Sequence, residues 1–523
     1  MVCRVLRGIR RRRGSSRSGG HGPRSCRTIR LRAAQKGNTM KRMLAVLLAL
    51  SLLFAGCGGK TDNSDKNMIS GVGSLEFSTQ EETESQDGEF PSADEVEVQG
   101  QQELNSGASR SAAALSQASH AAQGSSQASS RAPASSAASS SAAAASQQAS
   151  SSAASSSSSA QNTAGGGSAV KGEISAVWLS YLDLGPMLTG KTKAQFQTAI
   201  NKAFSNIAGT GFNTVIVQVR PFGDALYSSD YFPWSYVCTG TEGEDPGFDP
   251  LQIMVAAAHS KGLSIEAWLN PYRVRAANYT KPLSDDNQAV KWLDEGSDAA
   301  VEYNGGIYYN PGSKQARQLI INGVREIVQK YSVDGIHFDD YFYPNPNSSF
   351  DADTYADYSG SLSLGDWRRE NVNTLVKALY STIKSCRSSV RFGISPSGNN
   401  SNNYNQQYAD VAKWVKTSGY VDYICPQIYW GFDHSTMPFA ATVDSWNSMV
   451  TSPSVRLVVG IGAYRLGESG EWSGTTDILA RMVKKARTAS RCGGVALYRY
   501  DSLYNSAVAS QAAQECASLS KVL

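Results

Sequence analysis

The sequence lacks the features that indicate several common protein classes. Among its 523 residues are only 8 Cys and 5 His, with no C-x-x-C or H-E-x-x-H spacing, so no metal site is predicted. No apolar run reaches the roughly 18–20 residues of a membrane-spanning helix, which excludes a polytopic membrane protein. No P-loop occurs, and no G-x-G-x-x-G follows the first predicted strand. We therefore predict no cofactor.

Acidic residues are absent from the first 39 positions, which contain 11 Arg and 1 Lys. These twelve belong to a total of 49 basic residues, so the rest of the chain has 37 basic and 45 acidic residues and a net charge of −8. A mildly acidic body lacks the clustered cations that bind phosphate backbones. The composition therefore predicts no nucleic-acid partner.

The segment 40–56 has the pattern of a targeting signal. A short basic start precedes the apolar run LAVLLALSLLFAG (44–56), and Cys57 follows a small residue. This arrangement resembles a bacterial lipoprotein signal, in which Cys57 would become the lipidated first residue of a membrane-anchored, extracytoplasmic protein. An ordinary secretory signal is the alternative. We interpret 1–39 as a basic extension upstream of the true start at Met40, or else as an extension ahead of the signal.

A long polar segment, 57–171, separates this signal from the rest of the chain. Residues 108–168 are almost entirely Ser, Ala, Gln and Gly, with few large apolar side chains to offset the entropy of ordering. We predict a disordered linker. As a coil, its last 112 residues would span on the order of 55–60 Å, enough to hold a domain away from a membrane surface.

From residue 172 to 523, short apolar runs alternate with segments of helical periodicity. Helices are predicted at 194–209, 250–261, 315–331, 367–386, 406–418, 474–489 and 504–520. Strands are predicted at 174–180, 214–220, 263–269, 333–339, 391–395, 421–427, 456–461 and 494–500. Eight strands alternating with helices predict an α/β fold, a (β/α)8 TIM barrel, with a doubly wound open sheet as the alternative.

The fourth predicted strand and the residues after it, DGIHFDDYFYP (334–344), have the highest concentration of side chains capable of catalysis or binding. Strand side chains alternate between faces, so Ile336 and Phe338 should face the helices while His337 and Asp339 point into the barrel. Asp339 then lies nearest the top, where active sites of this fold lie, and partial desolvation there can raise the pKa of a carboxyl. Asp340 emerges on the other side or in the loop.

The same alternation turns further polar side chains inward. Glu266, Trp268 and Asn270 share the inner face of the third strand, and Arg220 that of the second; Gln427 and Tyr429 reach the rim from the sixth. Long loops at 221–249 and 271–312 add aromatic residues suited to sugar rings: Phe222, Tyr227, Tyr231, Phe232, Trp234, Tyr272, Tyr308 and Tyr309. The five barrel cysteines (Cys238, Cys386, Cys425, Cys492 and Cys516) are odd in number, so at least one is unpaired within the chain, and no pairing follows from their spacing.

Four ordered motifs resemble the glycosyl hydrolase-like family ten of bacteria: VQVRPFGDALY (217–227), AWLNPYR (267–273), GIHFDDYFYP (335–344) and ICPQIYW (424–430). The resemblance covers essentially all of 172–523 and implies a barrel and a glycosidase. Members of that family are often lipoproteins, and some act on cell-wall glycan, which implies a polysaccharide substrate such as the glycan strands of peptidoglycan. It places the active region at Arg220, Asp224, Asn270, Tyr272, Asp339, Asp340 and Gln427.

Glycoside hydrolysis usually requires two carboxyl groups. Asp339 is the first candidate, and its partner could be Asp340, Glu266 or Asp224. Arg220 beside one carboxylate would keep that group ionised and leave the other to hold a proton. The candidate substrate-binding residues are Arg220, Trp268, Asn270, Tyr272, His337, Tyr341, Gln427 and Tyr429. A non-catalytic carbohydrate-binding lipoprotein on the same scaffold is the alternative function, and it would need aromatics and amides but no acid pair.

Overall fold

A computed structural model of the chain describes residues 172–344 and 346–523. The predicted basic extension, signal segment, Cys57 anchor and Ser/Ala-rich linker lie outside these residues and stay predictions. Within the described ranges, no helix is both long enough and apolar enough to cross a bilayer.

Twelve strands occur in the described ranges. They are β1 (Ile174–Leu179), β2 (Thr214–Arg220), β3 (Ser264–Leu269), β4 (Arg273–Arg275), β5 (Ala300–Tyr303), β6 (Gly306–Tyr309), β7 (Gly335–Phe338), β8 (Arg391–Ile394), β9 (Tyr423–Ile424), β10 (Gln427–Ile428), β11 (Arg456–Gly462) and β12 (Cys492–Tyr498). Nine of them pair in parallel in the order β1-β2-β3-β7-β8-β9, then β11 and β12, with β10 beside β11. Because β12 pairs with β1, the sheet closes. With β9 and β10 sharing one position, this is the predicted eight-stranded parallel barrel, and the open-sheet alternative is wrong.

Strand alternation sorts the side chains as predicted. Ile336 and Phe338 belong to the large apolar layer between the strands and the helices. A second, smaller cluster fills the barrel interior and includes Trp178, Trp268 and Tyr423. In the β3–β7 register Trp268 stands opposite His337. The residue that follows Phe338 therefore leaves the top of the barrel on its inner side.

The helices lie at α1 (Tyr181–Leu188), α2 (Lys193–Thr210), α3 (Tyr236–Thr239), α4 (Pro250–Ser260), α5 (Gln288–Asp294), α6 (Lys314–Lys330), α7 (Ala352–Ala356), α8 (Leu364–Cys386), α9 (Asn400–Asn405), α10 (Val411–Lys416), α11 (Phe439–Met449), α12 (Ile478–Ala486), α13 (Tyr500–Tyr504) and α14 (Ala509–Leu519). Local signals set their ends. Thr192 and Gln195 form a capping box at the start of α2, and Gly211 ends it in the left-handed region. The helix predicted at 406–418 begins later, because Asp410 caps α10 at Lys413.

The loop predicted at 271–312 contains structure of its own. Strands β4, β6 and β5 form a small antiparallel sheet. Its hairpin turns at Asn304 and Gly305, which have φ values of 47° and 82°. Positive φ at both central residues is the requirement of a tight hairpin turn, and Asn-Gly supplies it at low cost.

The five cysteines of the barrel are all free thiols in the structure.

Candidate active site

Asp339 and Asp340 follow directly after β7 at the carboxyl end of the barrel, and both are buried. Oδ2 of Asp339 accepts a hydrogen bond from the indole nitrogen of Trp268 at 2.9 Å. Its Oδ1 accepts one from the backbone N–H of Tyr341 at 3.2 Å. The neighbouring strand and the following loop together fix the carboxyl group above the barrel interior.

The surroundings of Asp339 favour its protonated form. Burial raises the pKa of the carboxyl well above its usual range, and the adjacent charge of Asp340 raises it further. The hydrogen bond from Trp268 and the charge of Arg273 act in the opposite direction but are smaller. A carboxyl with a raised pKa at a barrel rim is suited to general acid chemistry.

Asp340 has amide donors on both carboxylate oxygens. Nε2 of Gln427 donates to Oδ1 at 3.0 Å, and Nε2 of Gln407 donates to Oδ2 at 3.2 Å. Gln427 also donates to the carbonyl of Ser395 at 3.0 Å, which ties its amide to the end of β8. Because an ionised carboxylate only accepts hydrogen bonds, this arrangement fits a charged Asp340. Gln427 thus lies at the rim, as predicted. Nothing in the sequence pattern indicated that Gln407 would bind Asp340.

Arg220 and Asn270 support the loops above β2 and β3. The fully buried Arg220 guanidinium donates to the backbone carbonyls of Asn270 (2.6 Å), Pro271 (3.2 Å) and Phe222 (3.3 Å). Oδ1 of Asn270 accepts from the backbone N–H of Arg273 at 3.0 Å. The hydrogen bonds of Arg220 go to carbonyls rather than to a carboxylate of any described residue. Among the described residues, Asp339 and Asp224 act on Arg220 through their charge rather than through a hydrogen bond.

Tyr341 extends the rim beside the acids. The guanidinium of Arg273 lies 4.1 Å from the centre of its ring and 4.8 Å from that of Phe222. This cation–π stack brings a positive charge to the Asp339 side of the rim.

Glu266 and His337 belong to a polar column below the acids. His337 Nε2 accepts from the Trp178 indole at 3.3 Å, and its Nδ1 lies 2.8 Å from the Tyr423 hydroxyl. That hydroxyl donates to Glu266, whose other oxygen accepts from Nε of Arg391 at 2.9 Å. Since Trp178 can only donate, His337 is the Nδ1–H tautomer, and burial lowers its pKa to about 3.

The strand register separates Glu266 from the acids at the rim. Glu266 is level with Gly335, four residues before Asp339, and thus about 13 Å lower along the strand direction. Its ion pair with Arg391 and its bond from Tyr423 account for both carboxylate oxygens. We therefore assign Glu266 to the support of the barrel interior, not to the rim.

Asp224 lies in the loop after β2, and its charge, like that of Asp339, acts on Arg220. One oxygen accepts from the backbone N–H of Tyr236 at 3.3 Å, and burial raises its pKa to about 6. It lines a small cavity together with Glu242 and Tyr279. The pKa of Glu242 is raised to about 8 by burial and then by the charge of Asp224. These two form a separate acidic pair within the loops. Of the three predicted partners, Asp340 is the one that directly follows Asp339 at the end of β7.

The loop aromatics pack inward rather than lining a cleft. Phe222, Tyr227, Phe232, Tyr272 and Tyr309 are buried in the outer apolar layer, and Tyr272 contacts Phe342. Trp234 and Tyr308 are half-buried against the same layer, while the side chain of Tyr231 is 38 % exposed. Their concentration therefore reflects the anchoring of long loops. The buried members, Tyr272 included, pack within the outer layer, and a role for these loop aromatics in binding sugar stays a prediction.

The aromatic side of the rim comes instead from the last strands. Tyr429 follows β10, Tyr464 follows β11 and Tyr498 ends β12. Trp178 lies beneath them, with its ring centre 6.1 Å from that of Tyr498. Tyr429 was predicted; the alternation that identified Asp339 could also have identified Trp178 and Tyr498. No group of three or more His, Cys, Asp or Glu in the described ranges is arranged to hold a metal ion.

Residues 173–474 match the profile of the family described as glycosyl hydrolase-like 10. The chain belongs to this family. The sequence is 36% identical over 327 residues to the glycosyl hydrolase YngK of Bacillus subtilis. That alignment covers 58% of this chain and 63% of YngK. It is 36% identical over 350 residues to the glycosyl hydrolase DigH of Escherichia coli K12, covering 60% and 78%. The match thus spans less than two thirds of YngK.

Solved structures with a similar backbone fold include the glycoside hydrolase domain of PgaB (BpsB) from Bordetella bronchiseptica. It is 12% identical, covers 66% of this chain and 99% of that one, and has a TM-score of 0.46. An α-L-fucosidase isoenzyme 2 from Paenibacillus thiaminolyticus is 13% identical, covers 67% and 49%, and has a TM-score of 0.42. The family membership supports a glycosidase-type function for this chain and a carbohydrate as its substrate.

Proposed function

We propose that this protein is a glycoside hydrolase that cleaves glycan at the carboxyl end of its barrel, with Asp339 as the proton donor. The carrying observation is the state of Asp339, a buried carboxyl with a raised pKa held by Trp268 next to a second carboxylate. A carbohydrate-binding module has no use for such an acid. The acid pair therefore favours the enzyme over the binding lipoprotein.

In this proposal the two acids have separate tasks. Asp339 donates its proton to the glycosidic oxygen as the bond from the anomeric carbon breaks, so the bond's electron pair stays on the leaving group. Asp340, held by Gln427 and Gln407, is the second of the two carboxyl groups that glycoside hydrolysis requires. Its negative charge stabilises the positive charge that develops on the anomeric carbon. Water supplies the hydroxyl of the new reducing end, and its remaining proton restores Asp339.

We propose peptidoglycan glycan strands as the substrate and the cell envelope as the location. The family resemblance supports the substrate class, and the signal pattern ending at Cys57 supports an extracytoplasmic lipid anchor. The long polar segment 57–171 would let a tethered enzyme reach an immobile polymer. A Cys57→Ser chain should move from the membrane fraction to the soluble fraction. Equal membrane recovery of both chains would contradict the anchor.

The activity is tested with the full chain on peptide-free glycan strands prepared from peptidoglycan, by following new reducing ends. We expect release by the parent and a loss of at least about 1,000-fold in Asp339→Asn, the order of a missing catalytic acid. The exposed Asp294→Asn is the matched control and should keep parental release. Retained glycan binding by Asp339→Asn shows that the variant is folded.

Absence of release by the parent on peptide-free glycan, with binding intact, would favour the carbohydrate-binding module. Equal release by Asp339→Asn and the parent would remove Asp339 from the mechanism.

A further inference from the structure

Each of the last three barrel positions ends in a tyrosine, and the three rings form a corner. The rings of Tyr429 and Tyr498 are nearly parallel, with centres 5.6 Å apart and 23° between their planes. Tyr464 stands perpendicular to both, at 89° to Tyr429 and 88° to Tyr498, with centres 5.8 and 6.3 Å away. We call Tyr429, Tyr464 and Tyr498 the tyrosine corner.

The local sequence allows these rings to approach. A Cβ at Gly462, the last residue of β11, would lie 3.0 Å from Cε1 of Tyr464 and 3.1 Å from Cβ of Tyr429. Glycine at this position therefore lets two rings meet where a larger residue would push them apart. From below, Trp178 packs edge-on against Tyr498 and is itself held by His337.

The tyrosine corner lies close to the acids. The charge of Asp340 acts on the Tyr429 hydroxyl, and Gln427, which binds Asp340, precedes Tyr429 by two residues on the same rim segment. Tyr429 and Tyr464 are half-buried rather than fully packed. The rim thus has a polar half, from β3 to β10, and an aromatic half, from β10 to β12.

This division matches the surface of one class of sugar. A pyranose ring of gluco configuration carries its hydroxyls and linkages equatorially, so its two faces expose axial C–H groups and its edge is polar. An aromatic face takes the C–H side while amides and carboxylates take the edge. A galacto-configured ring has one axial hydroxyl, which would be pressed against a tyrosine on one face.

We propose that the tyrosine corner is a subsite for one gluco-configured pyranose ring, beside Asp340, and that Tyr464 determines this preference. The proposal rests on the proposed function, since it assigns a sugar to the same rim. It goes further in naming the ring configuration and the side of the barrel that binds it.

The test measures binding without turnover, by titration calorimetry on the full chain carrying Asp339→Asn. The probe is the β-1,4-linked tetrasaccharide of N-acetylglucosamine, and the comparison is a β-1,4-linked galactose tetrasaccharide. Adding Tyr464→Ala should weaken binding of the first probe about 3- to 10-fold, the size of one aromatic contact. Tyr464→Phe should bind within about twofold of the parent, because the ring face and not the hydroxyl makes the contact.

Tyr380→Ala is the matched control, a half-buried tyrosine of α8 on the outside of the barrel, and should leave the affinity unchanged. If Tyr464→Ala does not melt cooperatively, Tyr464→Leu takes its place, since it keeps the volume but removes the flat face. The subsite would be overturned if substitution of Tyr464 left the affinity for the glucosamine probe unchanged. It would also be overturned if the Asp339→Asn chain bound the galactose probe as tightly as the glucosamine probe.

The two proposals fail in different ways. Tight binding of the glucosamine probe that depends on Tyr464, with no hydrolysis by the parent, would contradict the enzyme and retain the subsite. If hydrolysis is lost in Asp339→Asn, while substitution of Tyr464 changes neither the rate of hydrolysis nor the affinity, the enzyme is supported and the subsite is contradicted. No binding of the glucosamine probe by the Asp339→Asn chain would overturn the subsite.

Discussion

The indole N–H of Trp268 donates to Oδ2 of Asp339 at 2.9 Å, across the pairing of β3 with β7. The donor is the last inward side chain of one strand, and the acceptor follows the end of its neighbour. Because both strands are locked into a closed sheet, the barrel itself positions one oxygen of the acid, and the backbone N–H of Tyr341 in the following loop positions the other. The bond also opposes the rise in the pKa of Asp339 that burial causes.

Replacing Trp268 by Phe tests this relationship. The variant keeps an aromatic ring but loses the donor, so the pKa of Asp339 should rise and the alkaline limb of the kcat/KM profile should move to higher pH. The maximum should fall about tenfold, the cost of one hydrogen bond to an ionisable group. Trp414→Phe, which loses an indole bond to Asn373 in the outer layer, is the control. An unshifted limb in Trp268→Phe would contradict the coupling.

The amides that hold Asp340 are tested by Gln427→Met and Gln407→Met. Methionine keeps the length of the side chain but donates no hydrogen bond, so each variant frees one carboxylate oxygen of Asp340. We expect kcat to fall about 10- to 100-fold in Gln427→Met, and less in Gln407→Met, because Gln427 also ties Asp340 to Ser395. Parental kcat in both variants would show that Asp340 does not depend on these amides.

The neutral His337 predicts a specific loss of stability in acid. Its pKa is lowered by burial from 6.5 to about 3, so between these values the unfolded chain binds a proton that the folded chain does not. Stability present above pH 6.5 is therefore lost as the pH falls, by up to about 1.4 kcal/mol per pH unit. His337→Gln, whose amide can also accept from Trp178 and donate to Tyr423, should have a shallower acid limb in urea unfolding. Parallel limbs for both chains would contradict a neutral buried His337.

Glu266 is expected to matter for stability rather than for chemistry. Glu266→Ala removes the partner of Arg391, whose side chain is only one third exposed, and should lower the free energy of unfolding by about 3 kcal/mol. The kcat of the folded fraction should stay within about threefold of the parent, less than ~1 kcal/mol in the barrier. Urea unfolding and kcat measured on the same preparation separate the two effects. A loss of activity with stability unchanged would return Glu266 to the catalytic candidates.

Much of this fold follows from periodicity in the sequence. The eight strands and most helices were predictable because apolar residues recur at spacings of two and of three to four. The same alternation placed Asp339 inward. The hairpin of β5 and β6 was missed although Asn304-Gly305 between apolar runs is a strong turn signal, because the segment was interpreted as a loop.

The composition of the rim was harder to predict. Alternation gives the face of a side chain but not its level relative to a neighbouring strand, so the depth of Glu266 below Asp339 could not be known before the register of β3 with β7 was known. Loop aromatics such as Tyr272 have the same composition signal whether they pack on the core or face a ligand. Gln407, far along the chain from Asp340, is brought to it only by the path of the loop after β8.

The most direct test of the proton-donor role compares two leaving groups in Asp339→Asn. A 2,4-dinitrophenyl β-glycoside of N-acetylglucosamine needs no protonation of its leaving oxygen, whereas a β-1,4-linked tetrasaccharide does. We predict that kcat/KM for the tetrasaccharide falls at least about 1,000-fold, while kcat/KM for the dinitrophenyl glycoside falls less than about tenfold. Equal losses on both substrates, or no loss on the tetrasaccharide, would contradict Asp339 as the general acid.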